Sequence, residues 1–263
     1  MMIPLPWGGV VAMLRVGVRA ASLVLGGALL AFFPEAVLAQ GWFNPFAPPT
    51  YNPTIMAFGG LTATPTSFFA YAGGVTGFRS DLWSDGYRVR ILAGAGTYEH
   101  EITGARNKDI GFASAELMAG YSRGFGDARL TGYLGVHVEG HDNKNPGADI
   151  DGTVIGIKGQ VELWLPLSET LHLVASGSLS SVHTSYYASM RAMRRINERF
   201  AIGPEAVAMG SRYYDQIRLG LASEAWLGKT MLVVSAGYGW NNANGLMAEA
   251  EGVYGNAHFN IGF

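Results

Sequence analysis

Hydrophobic and polar positions alternate with period two along much of the chain, and most strictly at its end. Read backwards in twos, Phe263, Ile261, Phe259, Ala257, Gly255 and Val253 form one face, and Gly262, Asn260, His258, Asn256 and Tyr254 the other. Side chains with that period lie on opposite faces of a β-strand. The same alternation sets Tyr87, Val89, Ile91, Ala93 and Ala95 against Arg88, Arg90 and Gly94, and Leu130, Leu134, Val136 and Val138 against Arg129, Tyr133, His137 and Glu139. It sets Ile155, Ile157, Val161, Leu163 and Leu165 against Lys158, Gln160 and Glu162, and Ile217, Leu219 and Leu221 against Gln216, Arg218 and Glu224. Between 230 and 241, Leu232, Val234, Ala236, Tyr238 and Trp240 oppose Ser235 and small residues. Weaker examples lie near 68–78, 110–122, 170–180, 185–193 and 199–209.

These stretches exceed the ~5–6 residues usual for globular strands and fit the ~9–11 that a tilted membrane strand needs. Their polar faces carry full charges in mid-strand, and their apolar faces carry almost none. In a soluble sandwich the charged face would meet water. In a membrane barrel it lines the lumen while the apolar face meets lipid. Strand length, a terminal Phe263 and an export signal (below) together favour the barrel.

Short links at 124–127, 166–169 and 227–229 alternate with long polar ones at 99–109, 141–150 and 242–249, as periplasmic turns and extracellular loops do. With Phe263 ending at the periplasm, an upward strand must precede 68–78, and 54–63 is its candidate. The predicted fold is therefore all-β, a transmembrane antiparallel up-and-down β-barrel of about 12 strands, an even number as in single-chain bacterial barrels. Tyr87, Trp164, Trp226 and Trp240, near strand ends, are expected as interfacial girdles. The apolar C-terminal Phe263 resembles the usual outer-membrane barrel ending, an assembly signal for the barrel insertion machinery.

Composition sharpens this. Only 14% of the 263 residues are charged and 12% are aromatic, with 37 glycines. That excludes disorder, which needs few aromatics and much charge. With no cysteine there are no disulfides, thiolate metal sites or cysteine nucleophile. A formal charge of −2 argues against nucleic-acid partners. Arg15 and Arg19 precede the uncharged apolar run Ala20–Phe33, and Val37 and Ala39 stand at the small-residue positions before a cut. This is a secretory signal peptide over 1–39, with Met13 an alternative start. The apolar run is short of the roughly 20 residues of a spanning anchor. Residues 40–53, rich in proline and asparagine, read as an irregular leader, and 54–263 as the barrel.

The charged and polar residues placed in the lumen by parity are Arg88, Arg90, Glu116, Arg129, Glu139, Lys158, Glu162, Arg191, Glu205, Gln216, Arg218 and Glu224. Both signs are present, so a lattice of paired charges filling the barrel is the leading reading, because an isolated buried charge is very costly. The alternative is a narrow polar channel or a sugar-contacting wall, with Tyr98, Tyr133 and Tyr214 stacking on glucose rings. Glu205 and Arg218, on adjacent strands, are expected cross-strand partners. Pro204 lacks an N–H and suggests a bulge.

His100, His137, His141, His172, His183 and His258 are scattered, with no HExxH and no paired metal spacing, so neither metal nor cofactor is expected. The serines near His183 invite comparison with barrel lipases and deacylases, but there is no GxSxG elbow. Paired carboxylates such as Glu139 and Glu162 lack support for a glycosidase spacing. No catalytic residue is assigned and no enzyme activity is expected. The loop at 142–151 lacks EF-hand spacing for calcium.

Several segments together, FFAYAGGVTGF, SDGYRVRILAGAGTYEH, GIKGQVELW, YYASMRAMRRI and above all IGPEAVAMGSRYYDQIRLG, resemble the BcsS family of outer-membrane proteins linked to bacterial cellulose synthesis. The resemblance runs from about Phe68 to Gly220, and more weakly through SAGYGW to the end. It implies an outer-membrane barrel assisting cellulose biosynthesis, export or assembly, with the lipid bilayer, cellulose or the cellulose-synthesis machinery as partners. A general narrow porin and a lipid- or glycan-modifying barrel enzyme are the alternatives.

Overall fold

The computed structural model describes residues 52–100, 108–142, 152–241 and 251–263. The expected signal peptide, the leader up to residue 51, loop positions 143–151 and the side chain of His100 lie outside the described residues.

Among the described residues twelve strands follow one another: β1 (Ile55–Ala63), β2 (Ser67–Gly77), β3 (Gly86–His100), β4 (Lys108–Phe125), β5 (Ala128–Asp142), β6 (Gly152–Pro166), β7 (Leu171–Ser180), β8 (Ser185–Asn197), β9 (Phe200–Ser211), β10 (Tyr214–Leu227), β11 (Thr230–Asn241) and β12 (Gly252–Gly262). Each pairs antiparallel with its sequence neighbours, and β12 closes on β1. Among the described residues no helix is long and apolar enough to cross a membrane. The strands do so instead, and closure leaves no unpaired edge in lipid.

Phe263 seals the ring. Its N–H donates to the Ile55 carbonyl at 2.8 Å, its carbonyl accepts from Thr54 N–H at 3.0 Å, and its side chain faces outward. The expected strand at 54–63 is β1, with every pairing from Met56↔Gly262 to Ala63↔Gly255 in register.

The parity also holds. Ile91, Leu117, Leu134, Ile155, Leu219 and Val234 are exposed on the outer face, while Arg88, Glu116, Glu205, Gln216 and Glu224 are buried. Leu219 is 50% exposed and its neighbour Arg218 only 3%. This inversion of the usual burial order is what lipid outside and a polar lumen demand.

At the end holding the start of β1 and Phe263, Gly126–Asp127 and Gly228–Lys229 are two-residue turns. Gly126 and Gly228 take φ of +60° and +64°, which glycine supplies without steric cost. The alternation of short and long links is incomplete. The 78–85 link is long at this end, and those at 64–66, 181–184 and 212–213 are short at the other. The 78–85 link turns inward: Leu82 donates its N–H to the Pro53 carbonyl and packs with Val75, Met118 and Tyr133.

Two local expectations are corrected. Pro204 faces outward without a bulge: the β8–β9 ladder lapses between Arg191↔Glu205 and Arg194↔Ile202 and resumes in the same register. No extra residue is inserted, because a missing N–H costs a rung and not a residue. The irregularity falls instead at Arg195/Asn197. In the expected girdles, Tyr87 and Trp240 do face outward, Tyr87 set edge-on to Tyr121 at 5.2 Å. Trp226 instead lies inside with Met193, Met231 and Val233, and Trp164 lines the lumen near His172. Both are even-numbered, on the same parity as Glu162 and Glu224.

Candidate functional site: the barrel lumen

The strands enclose a cavity of about 690 Å³. Of the twelve sequence-predicted luminal residues, eleven line it, and Gln216 is buried beside it. They form separate groups on the wall.

On the β3–β6 side, Glu116 is held between two cations. Arg90 Nη1 lies 3.3 Å from its Oε2, and Lys158 Nζ pairs with Oε1. Arg90 also donates to Gln160 Oε1 at 3.1 Å and sits over the Phe58 ring at 5.0 Å, and Gln160 Nε2 donates to Glu162 at 2.7 Å. One carboxylate shared by two cations, with further polar partners, offsets the cost of taking these charges from water.

On the β8–β12 side, Glu205 Oε2 faces Arg191 Nη1 at 4.0 Å, and Glu205 Oε1 accepts from Tyr254 Oη at 3.1 Å. The expected Glu205–Arg218 ion pair does not form. Arg218 is opposite Val207, one diagonal step from Glu205. Its Nε donates to Gln216 Oε1 at 2.5 Å, and its guanidinium lies 5.3 Å from the centroid of the Tyr254 ring. The two residues therefore meet through Tyr254 and not directly.

At the Phe263 end, Arg88 ties the 78–85 link into the lumen through Ser80 Oγ and the Asp81 and Ser84 carbonyls, and Arg129 reaches Ser84 and Ser122. Across the barrel at the same end, His172 Nε2 bonds Glu224 Oε2 at 2.9 Å beside Trp164 and Trp226.

The half nearer the long links is aromatic. Tyr71, Phe69 and Phe112 stack in succession at 5.8 and 5.4 Å, and Phe112 stacks on His141 at 5.8 Å. His141 meets His183 edge-on at 5.3 Å, and His183 lies 5.5 Å from Tyr213. Of the tyrosines expected to stack on sugar, Tyr98 is packed with Ile110, Phe112, Tyr213 and Tyr214, and Tyr133 with Val75, Leu82 and Met118. These tyrosines and Tyr214 still line the cavity, alongside Phe69 and Tyr71. Phe69 lies over Gly94, whose absent Cβ would come within 2.5 Å of the ring.

Sequence reasoning missed the cluster where the aromatic half meets the charges. Glu139 Oε1 lies 2.8 Å from His141 Nε2 and 3.7 Å from His183 Nε2. Its Oε2 is 3.7 Å from His137 Nε2, and His137 Nδ1 bonds Ser180 Oγ at 2.9 Å. Ser180, His137 and Glu139 thus align in hydrolase order, but the His–Glu separation exceeds a hydrogen bond. Burial pushes the His183 imidazole below its ordinary pKa; Glu139 opposes this, and His141, Arg212 and His137 add to it.

The chain matches the family model described as "Cellulose biosynthesis protein BcsS" over residues 56–263. No curated relative matches it. Similar solved structures include the TodX deltaS2S3 mutant monoaromatic hydrocarbon channel, with 8% identity, a TM-score of 0.51, and coverage of 86% of this chain and 96% of that one. The KdgM porin is similar at 8% identity and a TM-score of 0.48, covering 79% and 99%. The translocator domain of autotransporter NalP from Neisseria meningitidis follows at 12% identity and 0.46, covering 97% and 98%. At these identities the TodX likeness is one of fold alone. The family match runs from the second residue of β1 to the terminal Phe263 and so takes in the whole barrel with its luminal charges: the chain belongs to the cellulose biosynthesis protein BcsS family.

Proposed function

We propose that the protein is a non-enzymatic barrel of the bacterial outer membrane that assists cellulose export or assembly, and that its lumen is braced by ion pairs and does not serve as a general diffusion pore. The observation that carries this reading is Glu116 clamped between Arg90 and Lys158 in the lumen of a BcsS-family barrel. A carboxylate with both oxygens committed to cations on β3 and β6 cross-links the wall. The aromatic surface of Phe69, Tyr71 and Phe112 is of the kind on which sugar rings stack. The bilayer, the barrel insertion machinery and cellulose or its synthesis machinery are the partners this role requires.

A strain lacking the protein tests it with two readouts. Extracellular cellulose should fall while uptake of small hydrophilic solutes stays unchanged. Unchanged cellulose with reduced uptake would support a general narrow porin instead. Lipase or deacylase activity in the purified barrel would support the enzyme reading.

A further inference from the structure

We propose that Glu139, His141 and His183 form a binding site for a divalent transition-metal ion of the zinc class, in the lumen near the long-link end. One ligand atom from each residue can be chosen so that all three lie within 4.8 Å of one another. A tetrahedral ion with bonds of about 2.0–2.2 Å holds its ligand atoms roughly 3.3–3.6 Å apart. The contacts from Glu139 Oε1 to the two imidazoles, at 2.8 and 3.7 Å, bracket that spacing.

His183 points to a ligand independently. It is 7% exposed, yet neither ring nitrogen has a hydrogen-bond partner. Two buried, unsatisfied imidazole nitrogens are costly, and a metal–nitrogen bond removes that cost at the one facing Glu139. The other histidine is already oriented: His141 Nδ1 meets Tyr98 Oη at 3.2 Å, leaving Nε2 toward Glu139. A hydrogen-bonded far nitrogen is the usual support for a metal-bound imidazole.

The fold builds the site from distant parts of the chain. Glu139 and His141 lie on β5, whereas His183 sits in the 3-10 turn Val182–Thr184 between β7 and β8. That turn folds inward over β6. Ser181 Oγ accepts from Ile157 N–H at 2.9 Å, and Arg212 N–H donates to the His183 carbonyl at 3.0 Å. Gly156 provides the hollow, since a Cβ there would stand 2.3 Å from Ser181 Oγ. Two imidazoles and one carboxylate suit zinc-class ions over calcium or magnesium, which prefer all-oxygen sites. Three protein ligands leave a fourth position for water or a ligand within the lumen.

The test uses the mature barrel, refolded in detergent, stripped with chelator and titrated with Zn²⁺ alone by calorimetry. One ion per chain is expected. His141→Ala and His183→Ala should each weaken binding by at least tenfold, Tyr98→Phe by a smaller factor, and His258→Ala not at all. Gly156→Leu, which displaces the turn, should also weaken it. Variants are compared only where heat-modifiable migration shows an intact barrel. Should none assemble, Co²⁺ added to the unaltered protein decides the matter: an intense tetrahedral visible spectrum is expected. No uptake of Zn²⁺, uptake unaffected by both histidine substitutions, or a Co²⁺ spectrum unchanged from the free ion would overturn the proposal.

Discussion

Arg191 stands directly opposite Glu205 across the β8–β9 ladder, with 4.0 Å between guanidinium and carboxylate, while Arg218 reaches Glu205 only by way of Tyr254. A double-mutant cycle on the refolded barrel should therefore give a larger coupling for Glu205 with Arg191 than with Arg218. Residues in one ion-pair network couple by about 0.5–3 kcal/mol, and Glu205/Arg191 should fall in that range. A stronger Glu205/Arg218 coupling would contradict the assigned pairing.

Glu116 is the shared acceptor of the opposite wall. Glu116→Ala strands Arg90 and Lys158 together, and breaking a buried pair costs roughly 3–5 kcal/mol. Lys158→Ala leaves the Arg90–Glu116 contact in place and should cost less. Denaturant unfolding of both variants in micelles checks the order, and a larger loss from Lys158→Ala would refute it.

The absence of native cysteine makes the inside-out pattern testable by single-cysteine labelling in liposomes. Ser178→Cys, which lines the cavity, should react with a small water-soluble maleimide. Leu219→Cys, exposed on the outer face, should be protected from it and react with a lipid-soluble reagent. The reverse result would place lipid on the wrong side of the wall.

Much of this was legible in the sequence because a β-strand's period is an integer. Once Arg218 is inside, Leu219 must be outside. The same rule should have placed Trp164 and Trp226 in the lumen, but aromatic strand ends suggested girdles. Partners were less legible than faces. Parity puts Glu205, Arg191 and Arg218 on one surface, but the stagger between strands decides that Arg191 is opposite and Arg218 diagonal. Of the Glu139–His141–His183 cluster, Glu139 and His141 share one face of β5 at i, i+2, but β6 and β7 separate His183 from them in sequence, so no spacing joins the three. The hint for His183 is Gly156 on an inward position, which makes sense only once Ser181 and Val182 are seen to fill the space above it.

Phe263 links the end of the chain to its closure. Deleting it removes its three backbone bonds to Thr54 and Ile55 together with its aromatic ring. The fraction of heat-modifiable, membrane-integrated barrel should fall severalfold. Unchanged assembly would show that neither the closing bonds nor the aromatic is needed.

In the proposed function the assembled barrel supports cellulose production. The most direct measurement is extracellular cellulose per cell in a deletion strain that re-expresses the wild-type protein at graded levels, with assembled barrel quantified in the same cells. Cellulose is expected to be low without the barrel and to rise with its assembled level. Cellulose that stays the same from no barrel to full expression would rule out that role.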